Sequence, residues 1–143
     1  MVTLEAILER NNLNRAYKQV KANRGSPGVD GMTVDELLDY LRAHAVEIVE
    51  TVKAGKYKPQ PVRRVMIPKE EKGKFRPLGI PTAVDRVIQQ AIAQKLSDEY
   101  EPVFSLHSHG FRPCRSCRTA IDEALDIANQ GYVWVVDLDL SKF

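Results

Sequence analysis

Positions 132–143 read YVWVVDLDLSKF, and the carboxylates Asp137 and Asp139 stand two residues apart within that stretch. The run before them is aromatic and β-branched, which predicts a mostly buried strand delivering carboxylates at its C-terminal end. Strand spacing puts both Asp on one face, where they repel unless a cation lies between or beside them. An oxygen-ligand Mg²⁺ site begins this way, because Mg²⁺ takes one or two carboxylates and leaves its other positions to water and substrate phosphates. The competing reading is structural: one Asp starts a turn and the other meets an Arg. For a bare Asp-Leu-Asp at a strand end the structural reading is the commoner.

Other residues fit phosphate chemistry. Lys53, Lys56, Lys58, Arg63, Arg64, Lys69, Lys72, Lys74 and Arg76 crowd into positions 53–76 against Glu70 and Glu71, although the whole chain carries a formal charge of only +2. A local basic surface follows; a solvated charged hairpin is its plain alternative. On such a hairpin Lys69 and Arg76, facing inward, could grip a triphosphate, Arg as a bidentate fork and Lys as a point charge. Residues 23–31, NRGSPGVDG, leave backbone N–H groups free and can clasp a polyanion or turn a corner. Arg112, Arg115 and Arg118 are spaced by three, so that some of them could point together where a loop enters a helix N-terminus. Cys114 and Cys117 form an isolated Cys-x-x-Cys. With no second pair, and with His107 and His109 too close upstream for finger spacing, ordinary reduced thiols are expected.

These groups need elements to hold them. The chain has 143 residues, 43% hydrophobic and 28% charged, enough for one domain with a modest core. No apolar run approaches the roughly 18 residues of a membrane span, and the amphipathic N-terminus lacks a signal peptide's apolar stretch; the cytoplasm is the expected compartment and no membrane partner is expected. Helical spacing covers residues 3–23, with a break expected near Asn11 and Asn12. Thr33 and Glu36 predict a capping box opening a second helix that ends near Ala54 and Gly55. Residues 62–67 and 75–80 read as a β-hairpin around a cationic tip. A third helix starts at Pro81 and Thr82, with Val84, Val87, Ile88, Ala91, Ile92 and Leu96 as its apolar stripe. A fourth runs from Ser116 to about Asn129. Helices, one hairpin and a carboxylate strand make an α+β domain.

Taken in order, ANRGSPGVDG, VRRVMIPKEEKGKFRPLGIPTAVDRVIQQAI, SHGFRPCRSCRTAI and VVDLDLSKF resemble the fingers and first palm strand of a group II intron-encoded reverse transcriptase, or maturase. Order and spacing hold over nearly the whole chain, which no single motif would achieve. The resemblance implies a reverse-transcriptase-like fingers subdomain, with helices packed around a β-hairpin, plus the first palm strand. Residues 1–54 would be N-terminal extension helices and a template loop, 55–131 the fingers, and 132–143 the first palm strand, truncated. It implies that Asp139 is the catalytic carboxylate and binds metal beside the carbonyl of Leu140, with Asp137 in support. Lys69 and Arg76 would hold the incoming triphosphate together with the backbone N–H groups of Lys142 and Phe143. Asn23, Arg24 and Gly25 would lie over the template, Gly110, Phe111 and Arg112 would line its path, and Arg63 and Arg64 would contact RNA. Cys114 stands where that motif usually has Gly.

The reaction implied is two-metal nucleotidyl transfer with Mg²⁺, copying intron RNA into DNA and assisting intron splicing. Its partners would be group II intron RNA, an RNA template with a DNA primer, and dNTP. Further carboxylates are expected from a later palm hairpin, so that these 143 residues alone are expected to be inactive. Two alternatives stand beside it: a non-catalytic splicing cofactor that binds intron RNA, and a homodimer through the exposed palm edge.

Overall fold

Asn12, expected at a helix break, is 5% exposed and lies inside a helix. The computed structural model describes residues 1–70 and 73–140. In it the N-terminal segment forms α1 (Leu4–Ile7) and α2 (Arg10–Ala22), and the break falls at Leu8 and Glu9. Asn12 stays helical because its side chain is engaged elsewhere. Its Nδ2 donates to the Ile7 carbonyl at 2.8 Å and to the Ala91 carbonyl at 2.9 Å. Gln94 Nε2 in turn donates to Asn12 Oδ1 at 2.9 Å and to its carbonyl at 3.2 Å. Ala91 and Gln94 belong to α4 (Ala83–Tyr100), so one buried amide pair joins three helices.

The Thr33–Glu36 capping box forms, with Thr33 N and Oγ1 donating to Glu36 Oε2 at 2.8 and 2.7 Å. Residues 34–36 remain a turn, and α3 (Leu37–Lys53) begins one residue later. It ends at Ala54, and Gly55 takes φ +66°, the left-handed step that glycine makes without strain.

The core is Ala16 and Val20 of α2, Val34, Leu37 of α3, and Ala83, Val84, Val87 and Ala91 of α4. It takes up the predicted stripe of α4 only as far as Ala91; Ile92 and Leu96 remain 37% and 41% exposed.

The hairpin forms as β1 (Arg63–Pro68) and β2 (Phe75–Ile80), antiparallel, with Arg63 opposite Ile80 and Pro68 opposite Phe75. The helices do not pack around it, contrary to expectation: no described hairpin residue enters the core, and Met66 and Phe75 are 50% and 56% exposed. With cations on both faces, neither face is apolar enough to be buried. The hairpin is an arm on a helical base.

The chain divides into two units, Met1–Glu99 and the residues from Tyr100 onward. The second holds a short 3-10 helix, Glu101–Val103, and α5 (Cys117–Asn129), where Ser116 and Thr119 form a reciprocal capping box. The expected palm strand is absent from residues 132–140, which carry no strand, and the apolar side chains from Tyr132 to Leu140 are 68–94% exposed. A strand exists through its neighbour's N–H and C=O groups, and among the described residues none pairs with this run. No helix of the described residues is long and apolar enough to cross a membrane.

Replacing Asn12 with Ala leaves its bonds to the Ile7 and Ala91 carbonyls and one Gln94 bond unmade. Urea unfolding of Asn12→Ala should show a loss of about 2 kcal/mol, since a buried polar partner is left unsatisfied; a loss within the error of surface substitutions would contradict the role assigned to this amide.

Candidate functional site

On the hairpin the strand register fixes which cations share a face. Arg76 stands opposite Ile67, Leu78 opposite Val65, and Ile80 opposite Arg63. Lys69 N donates to the Lys74 carbonyl at 2.8 Å, which extends the pairing one step beyond Pro68 and Phe75. By strand alternation Lys69, Arg76 and Arg63 therefore occupy one face and Arg64 the other. Lys69 and Arg76 are diagonal neighbours, a relation that spans about 7–8 Å between strands. Both are exposed. One polyphosphate can touch both.

A feature the sequence reading missed lies at the foot of the arm. Asp85, 2% exposed in the first turn of α4, receives three donors from chain segments flanking the hairpin. Tyr57 Oη donates to Oδ1 at 2.6 Å, while Gln60 N at 3.1 Å and Thr82 Oγ1 at 2.6 Å both donate to Oδ2. Asp85 N donates back to Thr82 Oγ1 at 3.2 Å. Burial, and then the Asp85 carboxylate, push the Tyr57 phenol far up, so it remains a donor throughout the physiological range. Thr82-x-x-Asp85 was the available signal: a Ser/Thr followed three residues on by an acid at a helix start.

Loop 23–31 is held against the same helix. Arg86 Nη2 donates to the Ser26 carbonyl at 3.0 Å. A Cβ on Gly28 would lie 2.7 Å from Thr82 Cα and 2.8 Å from Thr82 N, so only glycine allows this approach. Beside the loop, Asn23, Arg86, Gln89 and Gln90 line a shallow cavity of about 250 Å³. The Nε–H groups of Arg63 and Arg86 are buried without a hydrogen-bond partner among the described residues. Arg86, Gln89 and Gln90 read in the sequence only as polar sides of a helix, because nothing in it shows the loop folding back onto them.

In the second unit Gly110, Phe111 and Arg112 sit on the loop before α5. Phe111 is fully exposed and has φ +57°, and Cys114 has φ +59°. The position where the resembled motif has Gly is thus one whose backbone favours Gly. The three arginines do not assemble the expected cluster. The Arg112 side chain is 8% exposed, paired with Glu101 Oε1 at 2.9 Å and donating to the carbonyls of Ser105 at 2.6 Å and Ser108 at 2.8 Å. Arg115 donates to the Leu106 carbonyl at 2.8 Å, whereas Arg118 is 89% exposed. A turn rich in bare carbonyls recruits guanidinium donors before any external phosphate can.

His107 Nδ1 meets Glu123 Oε1, and His109 Nε2 lies 2.5 Å from Glu123 Oε2, with His109 Nδ1 2.9 Å from Thr119 Oγ1. These bonds, that from His107 foremost, hold the Glu123 carboxyl below its usual range. Both thiols are free and exposed.

Asp137 and Asp139 are exposed, and Asp139 Oδ1 accepts from Leu140 N at 2.9 Å. Among the described residues no three His, Cys, Asp or Glu side chains gather as a metal cage. An ion that keeps most of its shell as water and phosphate needs only one or two carboxylates, and these two fit that requirement in type and exposure. Lys142 and Phe143, expected to offer backbone N–H groups, lie outside the described residues. Lys69, Arg76 and loop 23–31 belong to the first unit, and Arg112 and Asp139 to the second.

The family model for reverse transcriptase (RNA-dependent DNA polymerase) matches residues 67–143. The chain is 41% identical over 125 residues to the group II intron-encoded protein LtrA of Lactococcus lactis subsp. cremoris, covering 87% of this chain and 20% of that protein. It is 36% identical to protein YkfC of Escherichia coli over 98% of this chain and 38% of that protein. Against the putative COX1/OXI3 intron 2 protein of Saccharomyces cerevisiae the identity is 35%, over 89% of this chain and 14% of that protein. The chain thus spans well under half the length of these relatives, and the likeness takes in the N-terminal helices that precede the family match.

The His–Glu clasp sets a pH dependence. A carboxyl whose folded pKa is depressed adds stability above its unfolded value, and loses it as pH falls through the folded one. Amide protection factors along α5 should therefore fall as pH drops below the ordinary 4.5 of Glu123, and Glu123→Gln should flatten that dependence. An unchanged acid profile in the variant would contradict the clasp.

Proposed function

This chain belongs to the reverse transcriptase family, is similar to its group II intron-encoded members, and on that premise we propose that it is the fingers and palm start of an RNA-dependent DNA polymerase that copies intron RNA and assists its splicing. The observation that carries the proposal is the arm. Lys69 and Arg76, same-face diagonal neighbours on an exposed hairpin, have the charge and spacing for a nucleoside triphosphate. In this reading residues 1–54 are extension helices with the template loop, 55–131 the fingers, and 132–143 the first palm strand, which forms when neighbouring palm strands complete the sheet.

Asp139, supported by Asp137, is the carboxylate of the reaction. Asp139 and the carbonyl of Leu140 would hold Mg²⁺, which when bound neutralises phosphate charge and lowers the pKa of the attacking hydroxyl. The chain's own residues do the positioning. Lys69 and Arg76 neutralise the triphosphate and orient pyrophosphate as the leaving group, while the primer 3′-oxygen forms the new bond to the α-phosphorus. The backbone N–H groups of Lys142 and Phe143 add donors to the same phosphates. Asn23, Arg24 and Gly25 lie along the template, with Arg63 and Arg64 on its phosphates. Gly110 and Phe111 complete the template path, and Arg112 keeps its loop in shape from within.

The nucleotidyl transfer needs more carboxylates than Asp137 and Asp139, so these 143 residues alone should extend no primer. In the polymerase carrying this chain, Lys69→Ala and Arg76→Ala should each raise KM for dNTP roughly tenfold or more, the loss of one charge-assisted contact. Primer extension on an RNA template is the measurement. Unchanged KM in both variants, with RNA binding intact, would favour the non-catalytic splicing cofactor.

A further inference from the structure

We propose that Asp85 is the positioning residue of the arm: a single buried carboxylate that fixes both roots of the hairpin and so sets where Lys69 and Arg76 meet the nucleotide. This rests on the reading of the arm as the triphosphate grip. Tyr57 and Gln60 lie six and three residues before Arg63 at the start of β1, and Thr82 lies two residues beyond Ile80 at the end of β2. The bonds from Gln60 N and Thr82 Oγ1 converge on the same atom, Asp85 Oδ2, at 3.1 and 2.6 Å. The two ends of the arm are thereby pinned to one point on α4. Beyond the roots the arm has little else to hold it. Both its faces are largely exposed, and Arg63, Ile67 and Ile80 alone among its strand residues are half-buried. A small rotation at the base is magnified at the tip, where Lys69 lies next to the turn. Asp85 itself reaches no nucleotide, being 2% exposed.

Three donors on a buried carboxylate also explain why no cation is required beside it: two hydroxyls, one backbone N–H and the N-terminal end of α4 stabilise the charge. An amide can keep the geometry. Its oxygen can take the place of Oδ2, and its nitrogen can donate to the Tyr57 hydroxyl, which can accept. Alanine can keep neither root.

The test is steady-state primer extension by the polymerase carrying this chain. Asp85→Ala should raise KM for dNTP roughly tenfold with kcat within about twofold, whereas Asp85→Asn should stay close to wild type. In a Lys69→Ala/Arg76→Ala background Asp85→Ala should add nothing, because it acts through the two groups already removed. A fall in kcat at unchanged KM, or a further rise in KM from Asp85→Ala in that triple variant, would overturn the proposal in favour of a general loss of folded enzyme. Should Asp85→Ala fail to fold, Thr82→Val, which frees one root only, should give the same pattern at roughly a third of the size; no rise in KM there would equally overturn it. If Lys69→Ala leaves KM unchanged, the triphosphate reading fails rather than the anchor. Amide exchange then decides the anchor: in Asp85→Ala, or in Thr82→Val if the former does not fold, protection across the β1–β2 ladder should drop while α2 keeps its own, and an unaltered ladder would refute it.

Discussion

A carboxylate buried without a cation is costly unless donors surround it, and Asp85 makes that requirement structural. Satisfying it demands that the segment after α3 and the segment after β2 both come to the first turn of α4. The chain between them, positions 61–81, has no choice but to leave the base as a closed loop, and its strand propensity turns the loop into a hairpin. Loop 23–31 approaches the same turn, with Gly28 against the backbone of Thr82 and Arg86 bound to Ser26. One helix N-terminus thus organises two candidate contact elements, a cationic arm and a glycine-bearing loop. The Asn12–Gln94 pair secures the same helix farther along.

Charge is sorted by whether the fold has already used it. Arg112 and Arg115 are consumed by carbonyls of their own loop, and Arg112 also by Glu101. Lys69 and Arg76 stay exposed on the arm. Arg63 and Arg86 form a third class, each with a buried Nε–H that meets no acceptor among the described residues. Net charge hides all of this, since the formal total is only +2.

The sequence made the local elements legible and the long-range ones obscure. The hairpin, the Thr33–Glu36 box and the helix opening at Ser116 follow from neighbouring residues, and each stands within a residue or so of its expected place. Asn12 was misread because an Asn looks like a breaker until a partner 79 positions away takes its amide. Asp85 was overlooked for the same reason: two of its donors come from 25 and 28 residues back. The aromatic and β-branched run at 132–136 does spell a strand, yet a strand depends on neighbours, and the described residues offer it none. The faces of the arm follow from alternation only once the register is known, and nothing in the sequence tells that Arg112 faces inward.

The most direct measurement is a structure of the polymerase carrying this chain, bound to RNA template, DNA primer, an incoming dNTP and a divalent cation. The account predicts a cation within about 2.0–2.6 Å of an Asp139 oxygen, Lys69 and Arg76 on the triphosphate, and the hairpin roots still joined at Asp85. A triphosphate seated away from the arm, or a cation that passes over Asp139, would contradict it.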